Sequence, residues 1–307
     1  MTEQENMLLL VNPRAGGGRT ERVDWQKICA AFGVHCRVVV SHSPEDALFH
    51  ASQFCQSGGG VLVVAGGDGS VYAVLPALVH TPTALALLPL GTSNVLAREL
   101  GYPLGRRALQ GCLQALQEGE VRQMDVGVVN GRPFALMAST GFDAAVLPRV
   151  PEDLKKRWGV LAFIWTGLRE LGRYQPTRYC VTIGTDVQEM EAVLLVVSNT
   201  SRYGWFTVIA PSARTDDGEL DAVWFPADAR WRRKIWRVLW DVSWGRAGRC
   251  PYLRFARAKS VRVEASSVQY VQCDGELAGE TPMDVHVLPR ALRVIAASPP
   301  APSRNAV

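Results

Sequence analysis

The first third of the chain alternates short apolar runs with longer segments of mixed polarity. The apolar runs cover residues 7–11, 37–40, 61–65 and 84–88. Helical patterns lie between and after them, over Thr20–Phe32, Pro44–Cys55, Val71–Val79, Val95–Leu100 and Arg106–Glu118. Continuous apolar strands separated by helices are typical of a parallel sheet that is covered on both faces. The pattern predicts an N-terminal doubly wound, mainly parallel α/β domain over residues 1–124.

From Met124 onward the pattern changes to strands joined by short turns. Met124–Val129 and Arg132–Ser139 flank Asn130-Gly131, a pair that favours the positive φ angles of a type I′ hairpin turn. Further strands are predicted at Tyr179–Ile183, Met190–Ser198, Leu220–Phe225, Ser260–Glu264 and Val285–Leu288. We therefore expect a C-terminal antiparallel β-sandwich-like domain over residues 125–297. Two helices, at about Pro151–Gly172 and Ala229–Trp244, interrupt it, and a flexible tail follows over residues 298–307.

Composition narrows the class of protein. The 307 residues are 48% hydrophobic and 20% charged, which is ordinary for a globular protein with two domains. The formal charge of +4 is too small to indicate nucleic acid as a partner. It suits anionic ligands such as nucleotides, or an anionic membrane surface.

The cysteines and the apolar segments indicate where in the cell the protein is expected and how it could meet a membrane. The seven cysteines are odd in number and form no C-x-x-C pair, so we expect reduced thiols in a cytoplasmic protein and no zinc site. The apolar run at 7–11 is too short for a signal peptide. The longest apolar candidate, Trp158–Leu168, is too short to span a membrane and is interpreted as a buried helix. If this protein meets a membrane, it binds peripherally.

Three small, polar loops follow predicted strands of the first domain: Asn12–Arg19, Ala65–Ser70 and Leu88–Asn94. In an open α/β sheet, ligands bind at the carboxyl ends of the strands. Glycines let the backbone approach a phosphate, and a helix N-terminus favours an anion. A carboxylate in such a loop, here Asp68, needs a cation between itself and the phosphate, which indicates Mg²⁺. A tight strand–helix turn is the alternative for the Asp68 loop taken alone, and no Walker A motif occurs.

Two acidic turns stand out in the second domain. Arg214–Glu219 contains Asp216-Asp217-Gly218, which is either a simple β-turn or a site for a hard cation. Gln272–Glu276 is a turn whose last residue, Glu276, is either structural or a carboxylate directed at a ligand. Spacing alone leaves both alternatives open.

Six segments in chain order carry a family resemblance. They are Asn12-Pro13 with the glycines after it, Gly66-Gly67-Asp68-Gly69, Leu88-Pro89-Leu90-Gly91-Thr92 with Asn94, Ser139-Thr140-Gly141-Phe142-Asp143-Ala144, Asp217-Gly218, and Asp274-Gly275-Glu276. Together they resemble the bacterial diacylglycerol kinase and lipid kinase family, whose catalytic domain is shared with sphingosine and ceramide kinases. Departures from the family pattern include Ser41, Ser70, Ala73 and Val95.

The resemblance implies an ATP-dependent, Mg²⁺-requiring kinase that phosphorylates a lipid hydroxyl. It implies an ATP site formed by Asn12, Ser41, Ala65, Gly66, Gly67, Asp68, Gly69, Ser70, Val71 and Thr92. Asp68 would act near the phosphates and the metal, and Glu276 would accept the proton of the lipid hydroxyl, with Asp143 as its competitor. A structural Mg²⁺ would be bound by the side chain of Asp217, with carbonyl groups of Arg214 and Glu219. The rivals are a NAD-kinase-like kinase of a soluble substrate and a catalytically weak nucleotide- or lipid-binding protein.

The segment Ala229–Trp244 is rich in Trp and Arg. We place Trp231, Ile235, Val238, Leu239 and Val242 on one helical face. Arg230, Arg233 and Arg237 cluster on another face. The segment is either a packed helix with a solvated basic face or an interfacial helix on an anionic membrane. A homodimer is open on sequence alone.

Overall fold

A computed structural model describes residues 6–17, 23–32, 36–151, 153–154, 159–204 and 207–297. The chain divides into two compact units. The first contains the residues up to Met124 together with those from Arg290 onward, and the second is Asp125–Pro289. The predicted tail and parts of the helices predicted at Thr20–Phe32 and Pro151–Gly172 lie outside the described residues.

The first unit contains a parallel sheet with the strand order β2-β1-β3-β4. Its strands are β1 (Met7–Val11), β2 (Cys36–Val40), β3 (Val61–Gly66) and β4 (Ala84–Pro89), and β5 (Glu120–Val129) leads out of the unit. Its helices are α1 (Trp25–Ala31), α2 (Pro44–Gln56), α3 (Asp68–Leu78), α4 (Val95–Glu99) and α5 (Ala108–Glu118). The central strands are almost wholly buried, as both-face coverage requires. The predicted parallel α/β fold is confirmed.

One prediction about the cysteines is wrong. Cys29 of α1 and Cys36 of β2 form a disulfide, with their Cα atoms 5.7 Å apart. The chain returns from the end of α1 to β2 within seven residues, which brings the two cysteines within bonding range. Counting cysteines could not show this, because the pairing depends on how the helix packs beside the strand. The other described cysteines, Cys55, Cys112, Cys180, Cys250 and Cys273, are not in disulfides.

The second unit is built from antiparallel strands. They are β6 (Arg132–Phe134), β7 (Met137–Gly141), β8 (Thr177–Ile183), β9 (Asp186–Ser198), β10 (Arg202–Tyr203), β11 (Thr207–Val208), β12 (Leu220–Pro226), β13 (Arg254–Ala258), β14 (Ser260–Ala265), β15 (Tyr270–Cys273), β16 (Glu276–Glu280) and β17 (Met283–Ala296). The strand order is β16-β15-β7-β9-β8-β14-β17, with β12 and β13 branching from β9. The helices of this unit are α6 (Phe142–Val146), α7 (Val160–Leu171) and α8 (Trp231–Ser243). The predicted antiparallel β fold is confirmed.

Two turns of the second unit use positive φ angles. Asn130 and Gly131 have φ of 48° and 80°, which confirms the type I′ turn predicted between β5 and β6. Asp274 and Gly275, between β15 and β16, have φ of 48° and 89°. This second turn places Glu276 at the first position of β16.

Strand β17 belongs to both units in succession. Its first part, Met283–His286, pairs antiparallel with β14, and Arg293 and Val294 pair parallel with β4. Among the described residues, no helix combines the length and the apolar character that a membrane crossing needs.

Candidate active site

The turn after β3 and the turn after β4 touch through their glycines. A Cβ on Gly67 would lie 3.0 Å from the Cα of Gly91, and a Cβ on Gly91 would lie 2.6 Å from the Cα of Gly67. A Cβ on Gly66 would lie 2.4 Å from the hydroxyl oxygen of Ser70. Only glycine allows the two backbones to approach so closely. The two glycine-rich loops are therefore one packed structure at the carboxyl ends of neighbouring strands.

Asp68 links this structure to α4. Its Oδ2 accepts a hydrogen bond from the N–H of Val95 at 3.0 Å, and its Oδ1 accepts one from the N–H of Leu96 at 3.2 Å. The residue that precedes α4, Asn94, provides no side-chain cap, because its amide bonds to Gly91 instead. Asp68 thus supplies the missing N-terminal cap from 27 residues away.

The environment of Asp68 corrects one expectation. Burial raises the pKa of its carboxyl group, and the bonds from Val95 and Leu96 oppose that rise. A side chain in a simple strand–helix turn would have little packing to lose, whereas both carboxylate oxygens of Asp68 accept hydrogen bonds from backbone amides of another helix. Its predicted role near the phosphates and the metal remains a prediction.

A cavity of about 190 Å³ lies at the carboxyl ends of β1, β2 and β3. Four residues predicted for the nucleotide line it: Asn12, Ser41, Gly69 and Ser70. The side-chain amide of Asn12 donates to the hydroxyl of Ser70 at 2.8 Å, which ties the loop after β1 to the start of α3. The volume is below the 300 Å³ or more of typical whole-ligand pockets, so it suits one part of a nucleotide.

The cavity is also lined by His42, Ser43 and Ala73, which the sequence did not assign to the nucleotide, and by Arg14 of the predicted Asn12–Arg19 loop. Ser43 caps α2 by accepting the N–H of Asp46 at 3.2 Å, so the N-terminal end of that helix borders the cavity. A helix N-terminus and an arginine both favour an anion there. The Ser-Pro pair before a helical pattern was the available signal for the cap, but it could not reveal which loop the cap would adjoin.

The remaining predicted nucleotide residues do not line the cavity. They are Ala65, Gly66, Gly67, Asp68, Val71 and Thr92. Ala65 is buried at the end of β3, and its carbonyl accepts the N–H of Asn12 at 3.0 Å. Thr92 is exposed in the loop after β4. These residues shape the loops or lie beside them, and their part in nucleotide binding remains a prediction.

In the second unit, Asp274 fixes the turn that carries Glu276. Its carboxylate accepts three backbone N–H groups, those of Ala135, Leu136 and Met137, at 2.8–2.9 Å. The N–H of Gly275 donates to the side-chain Oε1 of Gln272 at 2.8 Å. Glu276 itself is exposed. A firmly held turn thus presents an exposed carboxylate.

Asp143, the predicted competitor of Glu276, lies in the interior. Its side chain is 6% exposed and accepts hydrogen bonds from the hydroxyls of Ser139 and Tyr203 at 2.5 and 2.7 Å. Burial raises the pKa of this carboxyl group, and the hydrogen bonds from Ser139 and Tyr203 oppose the rise. A carboxylate so enclosed is badly placed to take a proton from a substrate, which favours Glu276 for that role.

The acidic side chains of the loop predicted to hold a structural metal already pair with a cationic side chain, that of Arg257. The guanidinium of Arg257 pairs with the Oδ2 of Asp217 and lies 3.3 and 3.5 Å from carboxylate oxygens of Glu219 and Asp221. The Oδ1 of Asp217 accepts the N–H of Glu219 at 3.1 Å. Among the described residues, no group of three or more His, Cys, Asp or Glu side chains converges on a metal position.

The donors in this loop nevertheless fit a hard cation. A carboxylate with backbone carbonyl groups is the type of ligand set that Mg²⁺ or Ca²⁺ accepts, and the guanidinium of Arg257 marks where the loop attracts positive charge. Asp221, which is 2% exposed, also has a raised pKa, chiefly because of burial. A metal at Asp217 would compete with Arg257 for the same oxygen.

Two helices of the second unit expose apolar side chains. On α8 the buried face is Trp231, Ile235, Val238, Asp241 and Val242, whereas Trp236, Leu239, Trp240 and Trp244, just after the helix, are 45–62% exposed. Leu239, predicted on the packed face, is on the exposed one.

The prediction of a buried helix at Trp158–Leu168 is also wrong for α7, since Leu161, Ile164, Trp165 and Leu168 are 42–54% exposed. Apolar residues that recur with a period of 3.6 show that a helix is amphipathic. They do not show which neighbour covers the apolar face.

Comparisons with known proteins agree with the motifs. Residues 6–129 match the family described as "Diacylglycerol kinase catalytic domain", and residues 136–296 match "YegS C-terminal NAD kinase beta sandwich-like domain". A crystal structure of a diacylglycerol kinase from Bacillus anthracis superposes with a TM-score of 0.71 at 22% identity, covering 96% of this chain and 98% of that one. At this identity the superposition shows a shared fold.

Relatives in sequence are closer. The "Probable lipid kinase YegS-like" of Pseudomonas aeruginosa is 31% identical over 294 residues, which cover 95% of this chain and 94% of that protein. A diacylglycerol kinase of Mycobacterium tuberculosis is 29% identical over 296 residues, covering 93% of each chain. The chain therefore belongs to the diacylglycerol kinase family of lipid kinases, with a YegS-type β-sandwich domain after the catalytic domain.

Proposed function

We propose that this protein transfers the γ-phosphate of ATP, bound as its Mg²⁺ complex, to the hydroxyl of a diacylglycerol-like or related lipid at a membrane surface. The observation that carries the proposal is the cavity lined by Asn12, Ser41, Gly69 and Ser70, where Arg14 and the N-terminus of α2 favour an anion. Family membership supports the same reaction. The test is transfer of labelled γ-phosphate to a panel of lipid and soluble alcohols.

The nucleotide would bind along the loops after β1, β2, β3 and β4. The glycine-rich loops allow its phosphates to approach the backbone, and the Mg²⁺ that accompanies ATP would reduce repulsion from Asp68. The full set proposed to bind ATP is Asn12, Ser41, Ala65, Gly66, Gly67, Asp68, Gly69, Ser70, Val71 and Thr92. Positioning and charge neutralisation are most of what phosphoryl transfer requires from a protein.

Glu276 would accept the proton of the lipid hydroxyl. As the bond between the acceptor oxygen and the γ-phosphorus forms, the bond from that phosphorus to the bridging oxygen breaks and ADP leaves. The proton of the hydroxyl passes to the carboxylate. An acceptor is needed because the pKa of a free alcohol lies far above neutral pH. The exposure of Glu276 on a fixed turn supports this assignment.

The loop at Arg214–Glu219 would hold a second, structural Mg²⁺. Its ligands would be the carboxylate of Asp217 and the backbone carbonyls of Arg214 and Glu219. When bound, the ion would neutralise the acidic loop in place of Arg257, which now pairs with Asp217.

Contact with the membrane would use α8. Its exposed Trp236 and Trp240 are residues that favour the headgroup region, and Arg230 and Arg233 carry charge that attracts anionic lipid. The guanidinium of Arg232 also binds the carbonyl of Tyr174 at 2.8 Å, which joins the start of α8 to the segment after α7. The exposed apolar stripe of α7 would add to the same contact.

Removing the basicity of Glu276 tests the proton acceptor. Glu276→Gln keeps size and polarity, so kcat should fall by roughly 10²–10⁴-fold with little change in the KM for ATP. The melting temperature should hardly move, because the side chain is exposed. Glu280→Gln, at an exposed position of the same strand, is the matched control and should keep wild-type kcat. Activity of Glu276→Gln within threefold of wild type would refute the assignment.

Removing the carboxylate of Asp68 should affect both activity and stability. Asp68→Ala should abolish turnover, and loss of the cap on α4 should lower the free energy of unfolding by about 0.5–2 kcal/mol. Ala97→Gly weakens the same helix by about 1 kcal/mol and leaves Asp68 and the sequence of the glycine-rich loops unchanged. Urea unfolding and steady-state kinetics on both variants separate the two effects. If Ala97→Gly loses as much activity as Asp68→Ala, the loss comes from α4 and not from the phosphate site.

Mg²⁺ binding at the acidic loop can be measured without nucleotide. Mg²⁺ should raise the melting temperature of the wild type, and Asp217→Asn should remove that effect. Arg257→Gln should tighten Mg²⁺ binding by several-fold to tenfold, because the competing guanidinium is gone. Calorimetric titration that finds no Mg²⁺ binding in either the wild type or Arg257→Gln would contradict the proposed site.

Vesicle binding tests the surface of α8. Vesicles with anionic lipid should bind the protein, with each basic residue contributing on the order of 1 kcal/mol at low salt and less as salt is added. Arg230→Gln with Arg233→Gln should weaken binding by roughly tenfold. Arg237 is unsuitable for this test, because it pairs at 2.7 Å with the buried Asp241. Arg106→Gln with Arg107→Gln makes the same charge change at exposed sites of the first unit. Equal effects of the two double variants would show a non-specific charge effect.

A further inference from the structure

A polar cluster lies buried beside the turn that carries Glu276. Ser139 on β7, Gln272 on β15 and Asp143 on α6 are 0%, 3% and 6% exposed. Ser139 and Gln272 are direct partners in the pairing of β7 with β15. Tyr203, on the short strand β10, reaches the same cluster through its hydroxyl. Buried polar groups are costly unless they are bonded, so the directions of their hydrogen bonds show what each group does.

The hydrogen bonds form an ordered relay. The Nε2 of Gln272 donates to the hydroxyl of Ser139 at 2.7 Å, and that hydroxyl donates to the Oδ2 of Asp143 at 2.5 Å. The hydroxyl of Tyr203 donates to the same oxygen at 2.7 Å, and the N–H of Ala144 donates to the other oxygen at 2.7 Å. Asp143 accepts the bonds from Ser139, Tyr203 and Ala144, and the Nε2 of Gln272 also lies 3.4 Å from its Oδ2. Its carboxylate therefore sets the direction in which the neighbouring hydroxyls and the Gln272 amide point.

The carbonyl oxygen of the Gln272 side chain bonds to a residue outside the cluster. Its Oε1 accepts the N–H of Gly275 at 2.8 Å, and Gly275 is the residue directly before Glu276. Because the Nε2 is committed to Ser139, the amide cannot flip without losing both contacts. Asp274 and Gly275 are in left-handed conformations, and the N–H of the second of these residues is bonded by a side chain of the preceding strand. Asp274 anchors the start of the turn through the amides of 135–137, and Gln272 anchors the peptide next to Glu276.

We propose that Gln272 is a positioning residue for Glu276, and that Asp143, with Ser139 and Tyr203, anchors the Gln272 amide in the required orientation. This inference rests on the proposed role of Glu276 as proton acceptor. A carboxylate that takes a proton from a bound alcohol must lie within hydrogen-bond reach of it, and a displacement of about 1 Å can cost about 10²-fold in rate. The cluster would thus affect catalysis through the position of Glu276, although Ser139, Gln272 and Asp143 are themselves buried.

Kinetics on three variants test the proposal. Gln272→Met keeps the volume and removes the side-chain hydrogen bonds to Ser139, Asp143 and Gly275. As a result, kcat should fall by roughly 10–100-fold with the KM for ATP unchanged within twofold. Asp143→Asn should give a smaller loss in the same direction. Thr140→Val is the matched control, because Thr140 is also buried and its hydroxyl bonds to the carbonyl of Tyr270, away from the turn. It should lower the melting temperature by a similar amount and leave kcat near wild type.

A double variant separates positioning from general damage. If Gln272 acts only through Glu276, adding Gln272→Met to Glu276→Gln should cause less than a threefold further loss of kcat. A multiplicative loss would overturn the proposal, as would Gln272→Met with wild-type kcat. A Glu276→Gln enzyme that remains active would instead refute the proton-acceptor assignment, whatever Gln272→Met does.

Hydrogen exchange provides a readout that does not need activity. In Gln272→Met the amide of Gly275 should exchange at least tenfold faster than in the wild type, and the amides of Ala135, Leu136 and Met137 should keep their protection through Asp274. Unchanged exchange at Gly275 would show that Gln272 does not hold the turn, and would overturn the inference.

Discussion

The close contact between Gly67 and Gly91 is the constraint on which the first unit's candidate site depends. At this contact the turn after β3 packs directly against the turn after β4, and neither glycine has room for a Cβ atom. In that arrangement Asp68 reaches the first amides of α4 and caps this helix, whose own preceding residue, Asn94, provides no side-chain cap. The cavity at the ends of β1, β2 and β3 then adjoins loops held by backbone packing, which is the rigid setting that a phosphate site requires.

The second unit uses a related device for a different purpose. There Asp274 takes up three backbone amides, and Gln272 binds the next peptide from a buried cluster. In both units, a motif aspartate serves as a receptor for backbone N–H groups. Such carboxylates are held by several hydrogen bonds and point inward, so they fix the conformation of the neighbouring backbone. Glu276, in contrast, is exposed, which is the reason for proposing it as the proton acceptor.

The apolar surface of α7 and α8 has an energetic cost in water. Each exposed tryptophan or leucine forgoes part of the roughly 1.5–3 kcal/mol that burial would provide. Scattered apolar residues on a surface are normal, but a stripe repeated at helical spacing on two helices is the kind of surface that finds a partner. The adjacent arginines of α8 are the reason for proposing an anionic lipid surface and not an apolar protein groove.

The sequence by itself determined the alternation of buried strands and helices, the switch to antiparallel strands, the Asn130-Gly131 turn and the family, because these depend on local patterns and on motif order. Tertiary structure decided what the motif residues do. That Asp68 caps a helix 27 residues away, that Cys29 meets Cys36, that Arg257 lies on Asp217 and that α7 keeps an exposed apolar stripe all depend on which elements pack together. A periodic pattern identifies the faces of an element but not their neighbours, and a hydrogen bond between distant residues exists only once packing has brought donor and acceptor within about 3 Å.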